Sequence, residues 1–321
     1  MIIVLSFNNY EQGTDPVLDW LLYYKANFVK ITIQDLIQTN TRFKIDINKG
    51  RIYIEGKDIT DEIKVVWYRR FEAELVIDIP KGKHTEQALF EIKNEVDVTI
   101  AFLKTILSDK KWMPHYGSIG LEKPEITYLS KQFNILTPKS IITNNRRDVL
   151  NFQKIAKSDL ITKPIRHSGY FIDGKYTYSI YTQKLKKTAL QKLPERFVLT
   201  LFQECIEAEF EIRVFYLDGA FYATAIIITE KENNVVDVKL NYKSKNINWI
   251  PYKLPQEYET SLRAFMKSIN LNTGSLDIIK TKKGEYVMLE INPVGQYSAP
   301  GYRCNYNLEE KIAKWLIEND K

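Results

Sequence analysis

The chain has 321 residues, of which 44% are hydrophobic and 27% charged, and its formal net charge is 46 − 40 = +6. These values fit a folded globular protein of two or three domains and exclude a disordered, collagenous or coiled-coil chain. The apolar runs are a few residues long against about 20 for a bilayer span, so neither a transmembrane helix nor a membrane partner is expected. Two cysteines, Cys205 and Cys304, make neither a disulfide framework nor a metal-ligand pattern, and a reducing cytoplasm is the simple inference. Lysine and arginine are interspersed with acids rather than clustered, which argues against a nucleic-acid partner. The mild positive excess suits an anionic ligand.

In chain order, residues 2–5 read as a buried strand rather than a signal peptide. Thr14-Asp15-Pro16 starts a helix that the pattern carries to about residue 26. A strand over 29–33, a hairpin over 43–55 around Asn48-Lys49-Gly50, a strand over 65–68 and a long helix over 85–107 follow. This first unit, 1–115, reads as a small α/β domain. A second unit, 116–196, runs through a helix at 123–133, strands at 140–143 and 160–163, a helix between them at 147–157, and a strand at 176–181. A third, 197–321, has a strand at 198–203, then strands at 210–217 and 221–228 joined by Asp218-Gly219, one of the strongest two-residue turn signals. A helix at 256–269, a hairpin at 275–291 and a helix at 308–317 complete it. Helices mixed with antiparallel hairpins give an α+β class.

The sharpest chemistry lies in the last hairpin. With the turn centred between Lys283 and Gly284, Asp277 falls opposite Glu290, and directly opposed side chains have β-carbons about 4.5–5.5 Å apart. Asn292 lies two residues beyond Glu290 and shares its face. Opposed carboxylates repel unless a cation sits between them. An all-oxygen set selects a hard cation, typically Mg²⁺ shared with a phosphate-bearing partner. Polar residues interrupt a strand whose Leu289 and Ile291 read as buried.

Other pieces are less specific alone. Lys163 ends an apolar strand, where a lysine can reach phosphates as a point charge. The stretch Arg166-His167-Ser168-Gly169-Tyr170 reads equally as a loop closing over phosphates or an ordinary hairpin loop. Gln203-Glu204-Cys205-Ile206 leaves a strand and can present backbone donors and acceptors to an adenine edge. Glu211 and Arg213 share one strand face, as do Lys239 and Asn241. Each pair also fits a plain surface.

Their order, however, resembles the ATP-grasp fold from about Pro114 to the C-terminus. The family implies ATP clasped between two α+β subdomains, with Mg²⁺ bridging its phosphates. The resemblance assigns Lys123 and Lys163 to the nucleotide, Gln203, Glu204, Cys205 and Ile206 to the adenine hinge, and Glu211 to the ribose. It assigns Asp277, Glu290 and Asn292 to the metal, and Arg213, Lys239 and Asn241 to phosphate and acyl-phosphate contacts. Lys239 stands where related ligases often have arginine.

Gly13-Thr14-Asp15-Pro16-Val17-Leu18-Asp19-Trp20-Leu21, Trp67-Tyr68-Arg69-Arg70 and Asn292-Pro293-Val294-Gly295-Gln296-Tyr297 look like ATP-grasp peptide maturases of the grasp-with-spasm type, related to the microviridin (graspetide) ligases. This narrower resemblance implies an enzyme that activates Asp or Glu side chains of a ribosomal precursor peptide as acyl phosphates. Ester or amide crosslinks to Ser, Thr or Lys then form. It further implies binding of the precursor's leader and core, a radical-SAM/SPASM partner enzyme, and a homodimer. Residues 165–193, opening with Arg166 and His167 and rich in Tyr and Lys, are read as a peptide groove. Tyr297, Tyr302 and Arg303 are read as bordering the acceptor carboxylate. A ligase adding an amino acid to a peptide or protein would use the same nucleotide residues. A non-catalytic peptide-binding module is the remaining alternative.

Overall fold

The computed structural model describes the chain apart from residues 8, 38–40, 72–76, 78, 80, 167–170, 174–175 and 229–245, and apart from the side chains of 171–173 and 176–177. Two compact units divide it: Met1–Ile119, Ile269–Gly274 and Pro293–Lys321 form one, and Gly120–Ser268 with Ser275–Asn292 the other.

The first unit begins with β1 (Ile2–Ser6), α1 (Asp15–Tyr23), β2 (Phe28–Thr32), α2 (Ile33–Ile37), β3 (Phe43–Asp46), β4 (Arg51–Ile54), β5 (Lys57–Asp58), β6 (Val65–Tyr68), α3 (Thr85–Ile106) and β7 (Lys111–Met113). Every residue of β1 is buried, as befits the inside of a parallel sheet covered on both faces. The sheet order is β2-β1-β6-β7 with all pairs parallel. A separate antiparallel sheet is ordered β3-β4-β5. Ile3, Leu5, Val66 and Tyr68 pack with Val96, Ile100 and Leu103 of α3. Each such buried side chain contributes about 1.5–3 kcal/mol. The strand expected at 29–33 ends one residue early, because Ile33 opens α2.

The second unit runs α4 (Lys123–Ser130), β8 (Ser140–Asn145), α5 (Arg146–Ala156), β9 (Leu160–Thr162), β10 (Phe171–Asp173), β11 (Tyr176–Tyr178), β12 (Gln183–Leu185), α6 (Lys187–Gln191), β13 (Arg196–Glu204), β14 (Ala208–Leu217), β15 (Ala220–Ile228), β16 (Ile247–Tyr252), α7 (Gln256–Ser268), β17 (Thr273–Thr281) and β18 (Tyr286–Asn292). The short α8 (Ser298–Arg303) and α9 (Leu308–Asn319) return to the first unit.

Two sheets organise the second unit. One is ordered β12-β9-β13-β8, the other β16-β15-β14-β17-β18. On the four-stranded sheet, Leu160 and Phe202 pack with Val149 and Phe152 of α5 and Leu190 of α6. On the five-stranded sheet, Leu217 pairs with Ala220, so Asp218-Gly219 is a two-residue turn with φ +43° and +97°, the type I′ geometry that matches strand twist. The strand β16 was not expected, because Pro251 interrupts its pattern. It is an edge strand, where a missing N–H costs no ladder bond. No helix among the described residues is long and apolar enough to cross a membrane.

Candidate functional site

The expected opposition of Asp277 and Glu290 is present, and Ser275 faces Asn292. The route to it differs from the expectation. Thr281 accepts from Gly284 N at 2.9 Å and donates to Glu285 O at 2.9 Å, so the loop has three residues, Lys282-Lys283-Gly284, with Gly284 at φ +89°. Its centre is therefore Lys283, which sets Ile278 opposite Met288 and by itself would set Asp277 opposite Leu289. The register then shifts between Asp277 and Ile278, leaving Leu289 as the extra residue of a β-bulge. The bulge undoes the half-step of the loop and restores Glu290 opposite Asp277. Leu289, expected to be buried, is half-buried for that reason.

The two carboxylates are met by side-chain cations. Arg213 donates to Asp277 through Nε and Nη2, each at 2.6 Å, the bidentate fork that lysine cannot make. Lys123 Nζ lies 3.1 Å from Glu290 Oε2. All four side chains are no more than 18% exposed. Glu211 lies two residues before Arg213 on β14, so Glu211, Arg213, Asp277, Glu290 and Asn292 occupy one face of three adjacent strands, β14-β17-β18. Among the described residues no group of three or more His, Cys, Asp or Glu side chains gathers. The donor set here is two carboxylates and one amide, and all-oxygen donors on neighbouring strands fit a hard divalent cation shared with phosphate oxygens.

Lys163 follows β9 directly and is half-buried. At the hinge, Glu204 N donates to Lys139 O at 3.0 Å and Cys205 N to Asp159 O at 2.8 Å. Those two amides are thus engaged inside the sheet. Ile206 N makes no hydrogen bond to the described residues. The Glu204 carboxylate accepts from Lys139 N at 2.8 Å, and Gln203 Nε2 donates to Ser140 Oγ at 2.9 Å. Burial pushes the Cys205 thiol up from its ordinary range, so it stays protonated near neutral pH.

The remaining candidates separate. Arg166 is exposed and lies 3.2 Å from Glu122 Oε1. His167, Lys239 and Asn241 lie outside the described residues. Tyr297 and Arg303 belong to the other unit. Arg303 is exposed at the end of α8. Tyr297, expected beside the substrate, is instead 1% exposed. Its hydroxyl donates to Gly13 O at 2.7 Å and is pushed up by burial. It is an internal post of the first unit.

Beside it lies a buried pair that residue patterns did not single out. Arg69, 4% exposed, donates to Val294 O and Gly295 O at 3.2 Å each and meets Glu11 Oε2 at 3.5 Å. The motif Trp67-Tyr68-Arg69-Arg70 was its one visible signal.

No protein-family profile matches the chain, and no curated protein matches its sequence. Solved structures match over its whole length. Macrocyclase MdnC from Microcystis aeruginosa MRC, bound with precursor peptide MdnA, aligns at 22% identity and TM-score 0.82, covering 99% of each chain. A RiPP-associated ATP-grasp ligase from Chryseobacterium gregarium, in complex with ADP and a leader and core peptide, aligns at 20% identity and TM-score 0.81, covering 99% of this chain and 95% of that one. ATP-grasp ligase PsnB, complexed with a phosphomimetic variant of minimal precursor, Mg and ADP, aligns at 16% identity and TM-score 0.80, covering 100% and 98%. Matched end to end by these three structures at low identity, the chain has the ATP-grasp fold.

Proposed function

We propose that this protein is an ATP-dependent ligase that crosslinks a ribosomal precursor peptide. The observation that carries the reading is the polar face of β14-β17-β18, where Asp277, Glu290 and Asn292 stand with Arg213 and Lys123. A fold shared with ligases bound to precursor peptides supports it. In this reading 116–196 and 197–321 clasp ATP and 1–115 is the N-terminal domain.

Asp277, Glu290 and Asn292 would hold Mg²⁺, which supplies charge neutralisation at the phosphates. Lys123 and Lys163 bind phosphate oxygens, residues 203–206 take the adenine, and Glu211 takes the ribose. Arg213, with Lys239 and Asn241, faces the charge that develops during transfer. Arg166, His167 and Arg303 contact the peptide, whose leader and core occupy residues 165–193 and the N-terminal domain. A substrate carboxylate oxygen attacks the γ-phosphorus and ADP leaves, which gives an acyl phosphate. A Ser or Thr hydroxyl or a Lys amine then attacks the acyl carbon, loses its proton, and expels phosphate. Each ester or amide costs the peptide one water. Catalysis is positioning and charge stabilisation, with no protein nucleophile.

The test is the intact mass of a Thr/Ser/Glu/Asp/Lys-rich precursor peptide after incubation with the protein, ATP and Mg²⁺. Whole water masses should be lost, and the Asp277→Asn plus Glu290→Gln variant should leave the peptide unchanged. A gain of amino-acid mass would instead identify an amino-acid ligase. No ATP turnover with the peptide would leave a binding module.

A further inference from the structure

The cation on Glu290 comes from outside the sheet. Lys123 is the first residue of α4 and is followed by Pro124, and α4 packs along β18. Beyond α4, Met288 N of β18 donates to Leu136 O at 2.8 Å, so the chain after the helix is tied to the same strand. The first turn of a helix carries partial positive charge and disfavours a cation. The helix by itself therefore gives no reason for a lysine there. Lys123 Nζ lies 3.1 Å from Glu290 Oε2, and the two side chains are 15% and 14% exposed.

The two opposed acids are held differently. Asp277 has both oxygens engaged by Arg213, Oδ1 by Nε and Oδ2 by Nη2 at 2.6 Å each, in a fixed fork. Lys123 meets Glu290 as a point charge on a flexible four-carbon stem. The ammonium and the guanidinium together cancel the two carboxylates. A divalent cation coming to Glu290 therefore has to displace Lys123, and an ammonium left unpaired in a poorly solvated place is costly. Phosphate oxygens remove that cost, because they give the ammonium a new charged partner.

We propose that Lys123 is a stand-in cation for Glu290, so that the protein takes a divalent metal only together with a polyphosphate that draws the lysine away. The inference rests on the nucleotide reading above and concerns the form in which that site accepts its metal. Metal and polyphosphate both favour the arrangement in which Lys123 has left Glu290. Each therefore tightens the other by the same factor. A free divalent ion finds Glu290 already neutralised and gains little from it.

The experiment is titration of the full chain with Mn²⁺ as the probe, alone and with ADP, the free ion being read by electron paramagnetic resonance. The proteins are wild type, Lys123→Met and Lys123→Arg. Wild type should bind Mn²⁺ at least about tenfold tighter with ADP than alone, once the ion held by ADP in solution is subtracted. Lys123→Met keeps the stem and removes the charge. It should bind Mn²⁺ alone about tenfold tighter than wild type, because no cation has to be displaced. Its thermal midpoint should rise with Mn²⁺ alone, which a purely structural lysine would not produce. Lys123→Arg keeps a cation on Glu290 and should bind Mn²⁺ alone as weakly as wild type. If Lys123→Met gains nothing for Mn²⁺ alone, or Lys123→Arg gains as much as Lys123→Met, Lys123 does not stand in for the metal. Should wild type bind ADP while Lys123→Met gains nothing, the nucleotide reading stands and this inference fails. Should wild type bind no ADP, the nucleotide reading fails and the coupling fails with it. If Lys123→Met does not fold, Lys123→Gln carries the same comparison.

Discussion

Arg213 and Asp277 form the tightest charged contact of the polar face, two hydrogen bonds at 2.6 Å between side chains that are mostly shielded. Asp277→Asn leaves a guanidinium against a neutral amide in a poorly solvated place. The expected loss is about 2 kcal/mol of stability, less than for a fully buried pair because both groups keep some exposure. Urea unfolding reads it directly. Arg213→Lys keeps the charge and loses the fork. If Arg213 faces the developing negative charge, turnover of ATP with the peptide should fall about 10²–10³-fold, the usual effect of removing one oriented donor. An effect confined to stability would make Arg213 a structural partner of Asp277 only.

At the scale of elements, the β17–β18 hairpin depends on Gly284 at φ +89°. A side chain there is strained even though the nearest atom to an added Cβ is the tip of Lys280 at 3.6 Å. Gly284→Ala should cost about 1 kcal/mol, seen as a lower urea midpoint with an unchanged slope. An unchanged midpoint would show that the loop re-forms without the left-handed residue.

Three tyrosines join this hairpin to its surroundings. Tyr252 and Tyr286 hydroxyls meet at 2.6 Å, and Tyr258 stacks on Tyr286 with centroids 5.2 Å apart. Burial and then the Tyr286 hydroxyl push Tyr252 up to about 12, against an unfolded value of about 10. Below pH 10 Tyr252 is neutral in both states and its contribution is fully present. As pH rises from 10 to 12 the unfolded chain ionises first, so stability falls. Tyr252→Phe should flatten that decline in thermal unfolding across pH 9–12. A decline equally steep in the variant would place its source elsewhere.

Across the whole molecule, the chain crosses between the two units after Ile119, Ser268, Gly274 and Asn292. The first unit needs its late segments. Ser118 Oγ donates to Ile269 O and Asn270 O, Asn272 Nδ2 to Trp112 O, and α9 packs on α1. A fragment of residues 1–119 should therefore lack cooperative unfolding by circular dichroism, although it holds all the strands of the parallel sheet. A sharp two-state transition for that fragment would show that residues 269–274 and 293–321 are dispensable to its core.

Much of this was written locally. The Asp218-Gly219 turn and the helix at 85–107 follow from neighbour chemistry and period, because turns and alternating faces depend on residues a few positions apart. The α+β class and the ATP-grasp order were legible for the same reason. Tertiary structure decided the rest. The compensation between a three-residue loop and the Leu289 bulge is set by how β18 lies along β17, which alternation cannot reveal. Tyr297 looked like a site residue because it follows Asn292, yet Gly13, 284 positions away, takes its hydroxyl. The Ser140–Gln203 hydrogen bond joins residues 63 apart. Such facts arise when distant segments exclude water together, and no window along the chain contains them.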